Sequence, residues 1–104
     1  MGLTISVKEA HEKLQQDSCV FLDVRTKEER AICVIEPSLF IPMAKLQTDF
    51  VKLPKDKEIV VYCHTGGRSA MATGFLKSKG YNAANLTGGI IAWHDQIDPS
   101  IATY

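Results

Sequence analysis

The stretch VVYCHTGGRSA, residues 60–70, carries apolar residues into a cysteine, two glycines and an arginine. With Ile59 before it, the apolar run predicts a central strand that is covered on both faces. A helix beginning close to Arg68 should follow, because apolar residues recur at helical spacing on one predicted face: Met71, Ala72, Phe75 and Leu76. The stretch therefore predicts a strand, a loop and a helix, with Cys63 where the strand ends.

The rest of the chain repeats this alternation of short strands and helices. Capping-box patterns at Ser6 and Thr26 predict the starts of two helices, and a third is predicted from Ala44 to Pro54. Strands are predicted at residues 3–5, 20–24, 39–41, 59–62 and 84–86. Strands that alternate with helices indicate an α/β fold with a mainly parallel sheet, and residues 1–104 suit a single domain.

Composition narrows the possible partners and locations. The chain has 12 Lys and Arg against 12 Asp and Glu, so we expect neither nucleic acid nor a membrane surface as partner. The opening MGLTISVKEA lacks the pattern of a secretory leader, which favours a cytoplasmic protein. The 3 cysteines form no C-x-x-C pair, which argues against a disulfide framework and a metal site.

The loop after the predicted central strand has the composition of an anion-binding turn. Its glycines allow successive N–H groups to point inward, and a helix N-terminus adds positive charge. Such donors should stabilise a Cys63 thiolate and depress the pKa of its thiol, with Arg68 adding a fixed charge. Cys19 and Cys33 have no cationic loop beside them, and we interpret both as small buried residues.

Loop length separates sulfur from phosphate chemistry. Cysteine phosphatases place five residues between the nucleophile and the arginine, whereas 4 residues separate Cys63 from Arg68 here. The shorter ring favours a single transferable sulfur atom over a tetrahedral phosphate. Two alternatives stay open: a binding or regulatory module with an inert cysteine, and a small phosphatase or arsenate reductase, which the short loop disfavours.

Three motifs in this order resemble the single-domain rhodanese, or thiosulfate sulfurtransferase, family. They are FLDVR at 21–25 followed by Glu28 and Glu29, CHTGGRS at 63–69, and LTGGIIAW at 86–93. The resemblance implies a three-layer domain whose mainly parallel five-stranded sheet is flanked by helices on both faces. It also implies that Cys63 takes a sulfane sulfur from a small donor such as thiosulfate, holds it as a persulfide, and passes it to a thiol, cyanide or a sulfur-accepting protein.

By the same resemblance, no metal or organic cofactor is expected, and the loop residues bind substrate: His64, Thr65, Gly66, Gly67, Arg68 and Ser69. Asp23 and Arg25 would form a structural cluster in which Arg25 pairs with Glu28 or Glu29. Trp93 would be a packed aromatic residue after a tight glycine turn. His11 is expected at the boundary of the core, His64 either against substrate or in solvent, and the tail 98–104 either wrapped or frayed.

The sequence departs from the family pattern in two places. Where the family reads G-H-I-x-G-A before its Ile-Pro, residues 33–42 read CVIEPSLFIP and keep only the Ile and the Ile-Pro. His64 and Thr65 stand where the members best adapted to thiosulfate carry cations. We therefore expect altered recognition at the 33–40 segment and slow turnover with thiosulfate.

Overall fold

A computed structural model describes residues 3–104, so residues 1 and 2 of the predicted domain lie outside the described residues. Residues 3–104 form five strands and five α-helices in the order β1 (Thr4–Ile5), α1 (Val7–Gln15), β2 (Cys19–Asp23), α2 (Lys27–Ile32), β3 (Leu39–Phe40), α3 (Leu46–Asp49), β4 (Glu58–Tyr62), α4 (Gly67–Ser78), β5 (Ala83–Leu86) and α5 (Gly89–Gln96). The 3₁₀ turns Met43–Lys45 and Phe50–Lys52 flank α3.

The five strands form one sheet in the order β1-β5-β4-β2-β3, and every neighbouring pair is parallel. β4 is central, between β5 and β2, as its continuous apolar run predicts. Because all strands run the same way, their carboxyl ends share one edge of the sheet. The segments that follow β2, β4 and β5 therefore meet at this edge, which is where open α/β sheets bind ligands.

Helices cover both faces of the sheet, which confirms the predicted three-layer architecture. On one face the strand residues Phe21, Val60 and Leu86 share a core cluster with side chains of α1 and α5. On the other face Leu22 and Val61 share a cluster with side chains of α3 and α4. Adjacent residues of each strand thus contribute to opposite layers, as the alternation of a strand requires.

The predicted apolar face of α4 is partly wrong. Met71 is 70 % exposed, and the residues that α4 buries are Ser69, Ala72, Thr73 and Leu76. The buried hydroxyls are satisfied, because Thr73 Oγ1 donates to the Ser69 carbonyl at 2.7 Å and Ser69 Oγ bonds within the site described below. The helix therefore turns two polar residues inward, which an apolar periodicity does not detect.

Helix α5 follows the glycine turn and was not predicted from the sequence. Gly89 has φ +62, and a Cβ at this position would overlap the carbonyl groups of Cys63 and His64. This close approach lets the first N–H groups of α5 reach those carbonyls, from Ile90 at 3.0 Å and from Ile91 at 3.3 Å. The start of α5 thereby fixes the start of the Cys63 loop.

Within residues 3–104, none of the helices has the length and apolar character needed to cross a membrane.

Candidate active site

Cys63 directly follows β4 and points its sulfur into the loop that leads to α4. The Sγ atom accepts hydrogen bonds from Gly66 N–H at 3.1 Å, Ser69 N–H at 3.4 Å and Ser69 Oγ at 3.3 Å. Gly66 adopts φ +122, a backbone conformation that residues other than glycine rarely adopt. This turn directs the Gly66 N–H toward the sulfur. Three donors thus converge on the sulfur of a residue that is 2 % exposed.

These donors change the acidity of Cys63. Burial is the largest single influence and raises the pKa of the thiol, but the hydrogen bonds from Ser69 and Gly66, with a smaller contribution from the Arg68 N–H, together outweigh it and lower the pKa below its ordinary value of 9.0. Cys19 is the contrasting case, because burial without such donors raises its pKa to about 11. The pKa of the Cys63 thiol is therefore lower than that of the Cys19 thiol.

The loop is anchored by Asn85, a residue that the sequence analysis missed. Asn85 lies on β5, where its Nδ2 donates to the Gly66 carbonyl at 3.1 Å and its Oδ1 accepts from Ser69 Oγ at 2.5 Å. The available signal was an amide side chain inside the otherwise apolar strand AANL. A buried amide needs partners, and here they are the two loop residues that also contact Cys63.

The guanidinium group of Arg68 is already paired and is not free to bind an anion in the loop. Its two terminal nitrogens donate to the two carboxylate oxygens of Glu29 at 2.6 and 2.8 Å. These bonds, followed by the Thr26 and Tyr104 contacts, hold the pKa of Glu29 well below its ordinary range. Glu29 lies on α2, so the bridge joins α2 to the first turn of α4.

The predicted pairing of Arg25 with Glu28 or Glu29 is wrong. Arg25 pairs with Asp23, donating from Nε at 2.9 Å and from Nη2 at 2.8 Å, and both side chains are fully buried. Its side chain folds back over the end of its own strand, whereas Glu29 faces α4. Glu28 is exposed on α2 and lies outside this cluster.

Cys33 is buried, as expected, and it lies beside the side chain of Arg25. Arg25 Nη1 lies 3.7 Å from Cys33 Sγ, and Arg25 Nη2 donates to the Cys33 carbonyl at 2.6 Å. Arg25 thus fixes the start of the segment that departs from the family pattern. Two more hydrogen bonds hold the rest of this segment: the Ile35 N–H donates to the Tyr62 hydroxyl at 3.2 Å, and Arg30 Nη2 donates to the Ser38 carbonyl at 3.1 Å.

The tail is wrapped onto the site. The Tyr104 ring stacks on the His64 ring with centroids 4.1 Å apart, and its hydroxyl accepts from Arg25 Nη1 at 3.0 Å and donates to Glu29 Oε2 at 2.8 Å. Burial raises the pKa of Tyr104 to about 12. His64 is partly buried by this stack, and within residues 3–104 its Nε2 has no hydrogen-bond partner.

The other predicted residues occupy the positions that their types suggest. Thr65 and Gly67 are exposed at the rim of the loop. Trp93 is buried on the face of the sheet that α1 and α5 cover. Its ring packs edge-on against Phe21, with ring centroids 5.3 Å apart, and against the partly buried His11, with centroids 5.5 Å apart. Among residues 3–104, no group of three or more His, Cys, Asp or Glu residues is arranged to hold a metal ion.

Comparison with known proteins identifies the family. A family model described as Rhodanese-like domain matches residues 6–96, and the chain belongs to that family. A protein named sulfurtransferase from Allochromatium vinosum is 38 % identical over 78 residues, which cover 74 % of this chain and 73 % of that protein. A rhodanese-related protein from Thermoplasma volcanium superposes with a TM-score of 0.85 at 32 % identity, covering 90 % of this chain and 92 % of the other.

A longer relative contains a similar domain within a larger chain. The adenylyltransferase and sulfurtransferase MOCS3 of Drosophila persimilis is 33 % identical over 109 residues, which cover 96 % of this chain. The present chain spans 24 % of the length of that protein. The family and the names of these relatives support a sulfurtransferase role in general terms.

Proposed function

We propose that this chain is a single-domain sulfurtransferase that carries a sulfane sulfur on Cys63 as a persulfide. The observation that carries the proposal is the convergence of Gly66 N–H, Ser69 N–H and Ser69 Oγ on Cys63 Sγ, within 3.1–3.4 Å. A sulfur anion placed among fixed donors is stabilised without reorganisation of the loop. The sulfurtransferase names of relatives in the same family support the general class of the proposed activity.

The proposed reaction consists of two displacements at sulfur. In the first, the Cys63 thiolate attacks the outer sulfur of thiosulfate; the Sγ–S bond forms, the S–S bond of the donor breaks, and sulfite leaves with the electron pair. In the second, a thiolate or cyanide attacks the outer sulfur of the Cys63 persulfide, which gives the acceptor persulfide or thiocyanate and restores the Cys63 thiolate. The covalent intermediate divides one transfer into two steps, so no other redox partner is needed.

The geometry restricts what can reach Cys63. Because only 2 % of the residue is exposed, the reacting sulfur must sit at the narrow end of a donor or acceptor. Arg68 is engaged by Glu29, and His64 and Thr65 add no fixed cation. We therefore include in the proposal that a persulfide of a small thiol, with one negative charge, is a better donor than doubly charged thiosulfate.

A protein is proposed as an alternative acceptor to a small thiol. MOCS3 is named both adenylyltransferase and sulfurtransferase and contains a segment similar to this chain, so a rhodanese-like domain occurs there with a second activity. Thr65 and Gly67 are exposed at the rim of the loop, where a flexible end of another protein could approach Cys63. Transfer of labelled sulfur from the loaded protein to purified candidate proteins would test this part of the proposal.

Intact-mass spectrometry tests the persulfide directly. Incubation with thiosulfate or a small-molecule persulfide should add one sulfur, about 32 Da by the chemistry above, and dithiothreitol should remove it. Cys63→Ser should acquire no sulfur, while Cys19→Ser, a matched control for loss of one buried thiol, should load like the native protein. An unchanged mass with every donor would contradict the proposal and favour a binding or regulatory module.

A further inference from the structure

The hydroxyl group of Ser69 has one proton and two acceptors. Ser69 Oγ lies 2.5 Å from Asn85 Oδ1 and 3.3 Å from Cys63 Sγ, and Ser69 is fully buried while Asn85 is 9 % exposed. Water therefore does not reach Ser69 to supply a further donor. A hydroxyl donates one hydrogen bond at a time, so the amide oxygen and the sulfur compete for the same proton.

The orientation of the Asn85 amide follows from its other partner. The Gly66 carbonyl, 3.1 Å away, only accepts hydrogen bonds, so the NH₂ end of the amide faces it. The amide oxygen consequently faces Ser69. A rotated amide would place two oxygens against each other at Gly66, so the Gly66 contact locks Asn85 as an acceptor toward Ser69.

We propose that Asn85 is a positioning residue that competes with Cys63 for the Ser69 proton and thereby limits how strongly the loop holds a negatively charged sulfur. The inference rests on the proposed function only for its use in sulfur transfer. The competition itself concerns the free thiol and can be measured without any sulfur donor.

The two protonation states of Cys63 arrange this proton differently. In the neutral state, the S–H group donates to Ser69 Oγ, and Ser69 donates to Asn85 at the shorter of its two distances. In the thiolate state, the Ser69 proton turns to sulfur, and Asn85 Oδ1 loses its donor in a buried site. Leaving that oxygen unpaired has a free-energy cost, so Asn85 favours the neutral thiol and opposes the anion.

A limit of this kind suits a sulfur carrier. A sulfur anion that is stabilised too strongly is a weaker nucleophile, because intrinsic thiolate reactivity falls with the pKa of the thiol. Cys63 must attack in the first displacement and leave in the second. Asn85 would balance these two demands by withdrawing part of the stabilisation that the loop amides provide.

The neighbouring titratable groups stay constant in the comparison. Arg68 on α4 interacts electrostatically with Cys63 and is bridged to Glu29 on α2, and His64 is the next residue of the loop. The buried pair Asp23 and Arg25 lies at the end of β2, where Asp23 is the strand partner of Tyr62. β5 contributes only the uncharged amide of Asn85 at this position. Variants of Asn85 and Ser69 leave these charges unchanged, with the exception of Asn85→Asp, which adds one.

The experiment measures the rate of Cys63 alkylation by limiting iodoacetamide as a function of pH, with peptide mapping to separate Cys63 from Cys19 and Cys33. Asn85→Ala removes the competing acceptor and should lower the midpoint of this pH profile by about one pH unit, the cost of leaving a buried acceptor unpaired. Ser69→Ala removes the donor and should raise the midpoint, but by less than the full value of the bond to sulfur, because the competition for its proton disappears with that bond. Asn85→Asp keeps the acceptor, adds negative charge and should also raise it.

The double variant Ser69→Ala/Asn85→Ala isolates the competition. Without the hydroxyl there is no shared proton, so its midpoint should match that of Ser69→Ala alone. If Asn85 only supports the loop, Asn85→Ala would loosen the backbone donors and raise the midpoint, and this opposite sign, or an unchanged midpoint, would overturn the proposal. If Asn85→Ala does not melt cooperatively, Asn85→Val takes its place, because valine is well suited to a strand. The proposal then requires the same downward shift of the alkylation midpoint in Asn85→Val. Since no sulfur donor is present, a failure of sulfur transfer would leave these results unaffected.

Discussion

Removing the charge of Glu29 with Glu29→Gln should loosen Arg68 and lower the stability of the fold. The carboxylate accepts both Arg68 bonds, at 2.6 and 2.8 Å, and also the Thr26 N–H at 3.0 Å and the Tyr104 hydroxyl at 2.8 Å. Glutamine keeps the shape and one acceptor oxygen, so the variant loses the charge and one arm of the bridge. The Arg68 side chain is 38 % exposed, and after allowance for solvent screening we expect a loss of about 1–2 kcal/mol in the free energy of unfolding.

The loss in unfolding free energy caused by Glu29→Gln should become smaller as the pH falls. The Arg68 bonds lower the pKa of Glu29 in the folded protein below its ordinary value of 4.5. A carboxylate with a depressed folded pKa stabilises the fold above its unfolded pKa, and this contribution disappears as pH falls toward the folded pKa. The difference in unfolding free energy between the native protein and Glu29→Gln should therefore be full at neutral pH and shrink below about pH 4.5.

Urea unfolding of the native protein and the variant at pH 7 and at about pH 3.5 measures this difference. Glu28→Gln is the matched control, because Glu28 lies in the same first turn of α2 and carries the same charge but is exposed and makes no contact with Arg68. An equal loss in both variants at pH 7 would refute the assignment to the bridge. A difference that stays constant between the two pH values would refute the linkage argument.

The same variant tests whether the bridge withholds Arg68 from anionic donors. Freeing one guanidinium arm should improve thiosulfate binding by the value of one screened, charge-assisted hydrogen bond, a decrease in KM of about fivefold. Steady-state kinetics with thiosulfate and cyanide compare the native protein, Glu29→Gln and Glu28→Gln. A KM that is unchanged in Glu29→Gln would show that the bridge does not control donor affinity.

Three further outcomes follow from the structure. Gly89→Ala should lower the free energy of unfolding by about 2 kcal/mol or more, because its Cβ would overlap the Cys63 and His64 carbonyls. Gly74→Ala is the control: a Cβ there meets open space on α4, so the free energy of unfolding should rise by about 0.5–1 kcal/mol. Thermal melts compare the two variants. Tyr104→Phe keeps the ring on His64 but loses both hydroxyl bonds, so its melt should show a loss of about 1–2 kcal/mol and Tyr104→Ala a larger one. The native protein should transfer sulfur but leave p-nitrophenyl phosphate intact, and one glycine inserted between Gly66 and Gly67 should relax this exclusion; phosphate hydrolysis by the native protein without sulfur transfer would contradict the loop-length argument.

The strands and layers could be predicted because buried strands appear in the sequence as short runs of apolar residues. Strands covered on both faces must be apolar at successive positions, and the runs at 20–22 and 59–62 satisfy this without knowledge of their neighbours. Helix α5 could not be predicted in the same way. It begins with Gly89 after a glycine cap, and β-branched residues follow; both types are poor helix formers. The helix is held by bonds from Ile90 and Ile91 to carbonyls 27 positions earlier in the chain.

Ion-pair partners could not be predicted from residue types. Arg25 and Arg68 are both suitable partners for Glu29, and spacing alone favours Arg25 because it is near in sequence. In the structure, Arg25 instead forms its salt bridge with Asp23, and Arg68 forms the salt bridge with Glu29. The choice depends on which side of α2 faces the first turn of α4, and that is set by the packing of the sheet edge rather than by local sequence.

The residues that the sequence analysis misread are concentrated around Cys63. Ser69 and Thr73 occupy the buried face of α4, where apolar periodicity favoured Met71, and Asn85 interrupts an apolar strand. A sulfur anion below the surface needs hydrogen-bond donors in the core, and those donors need buried acceptors in turn, so the chemistry of the site places polar groups where packing rules expect apolar ones. Asn85 is the furthest of these from the loop in sequence, and its two contacts, to Gly66 and Ser69, connect the central sheet to the reactivity of the thiol.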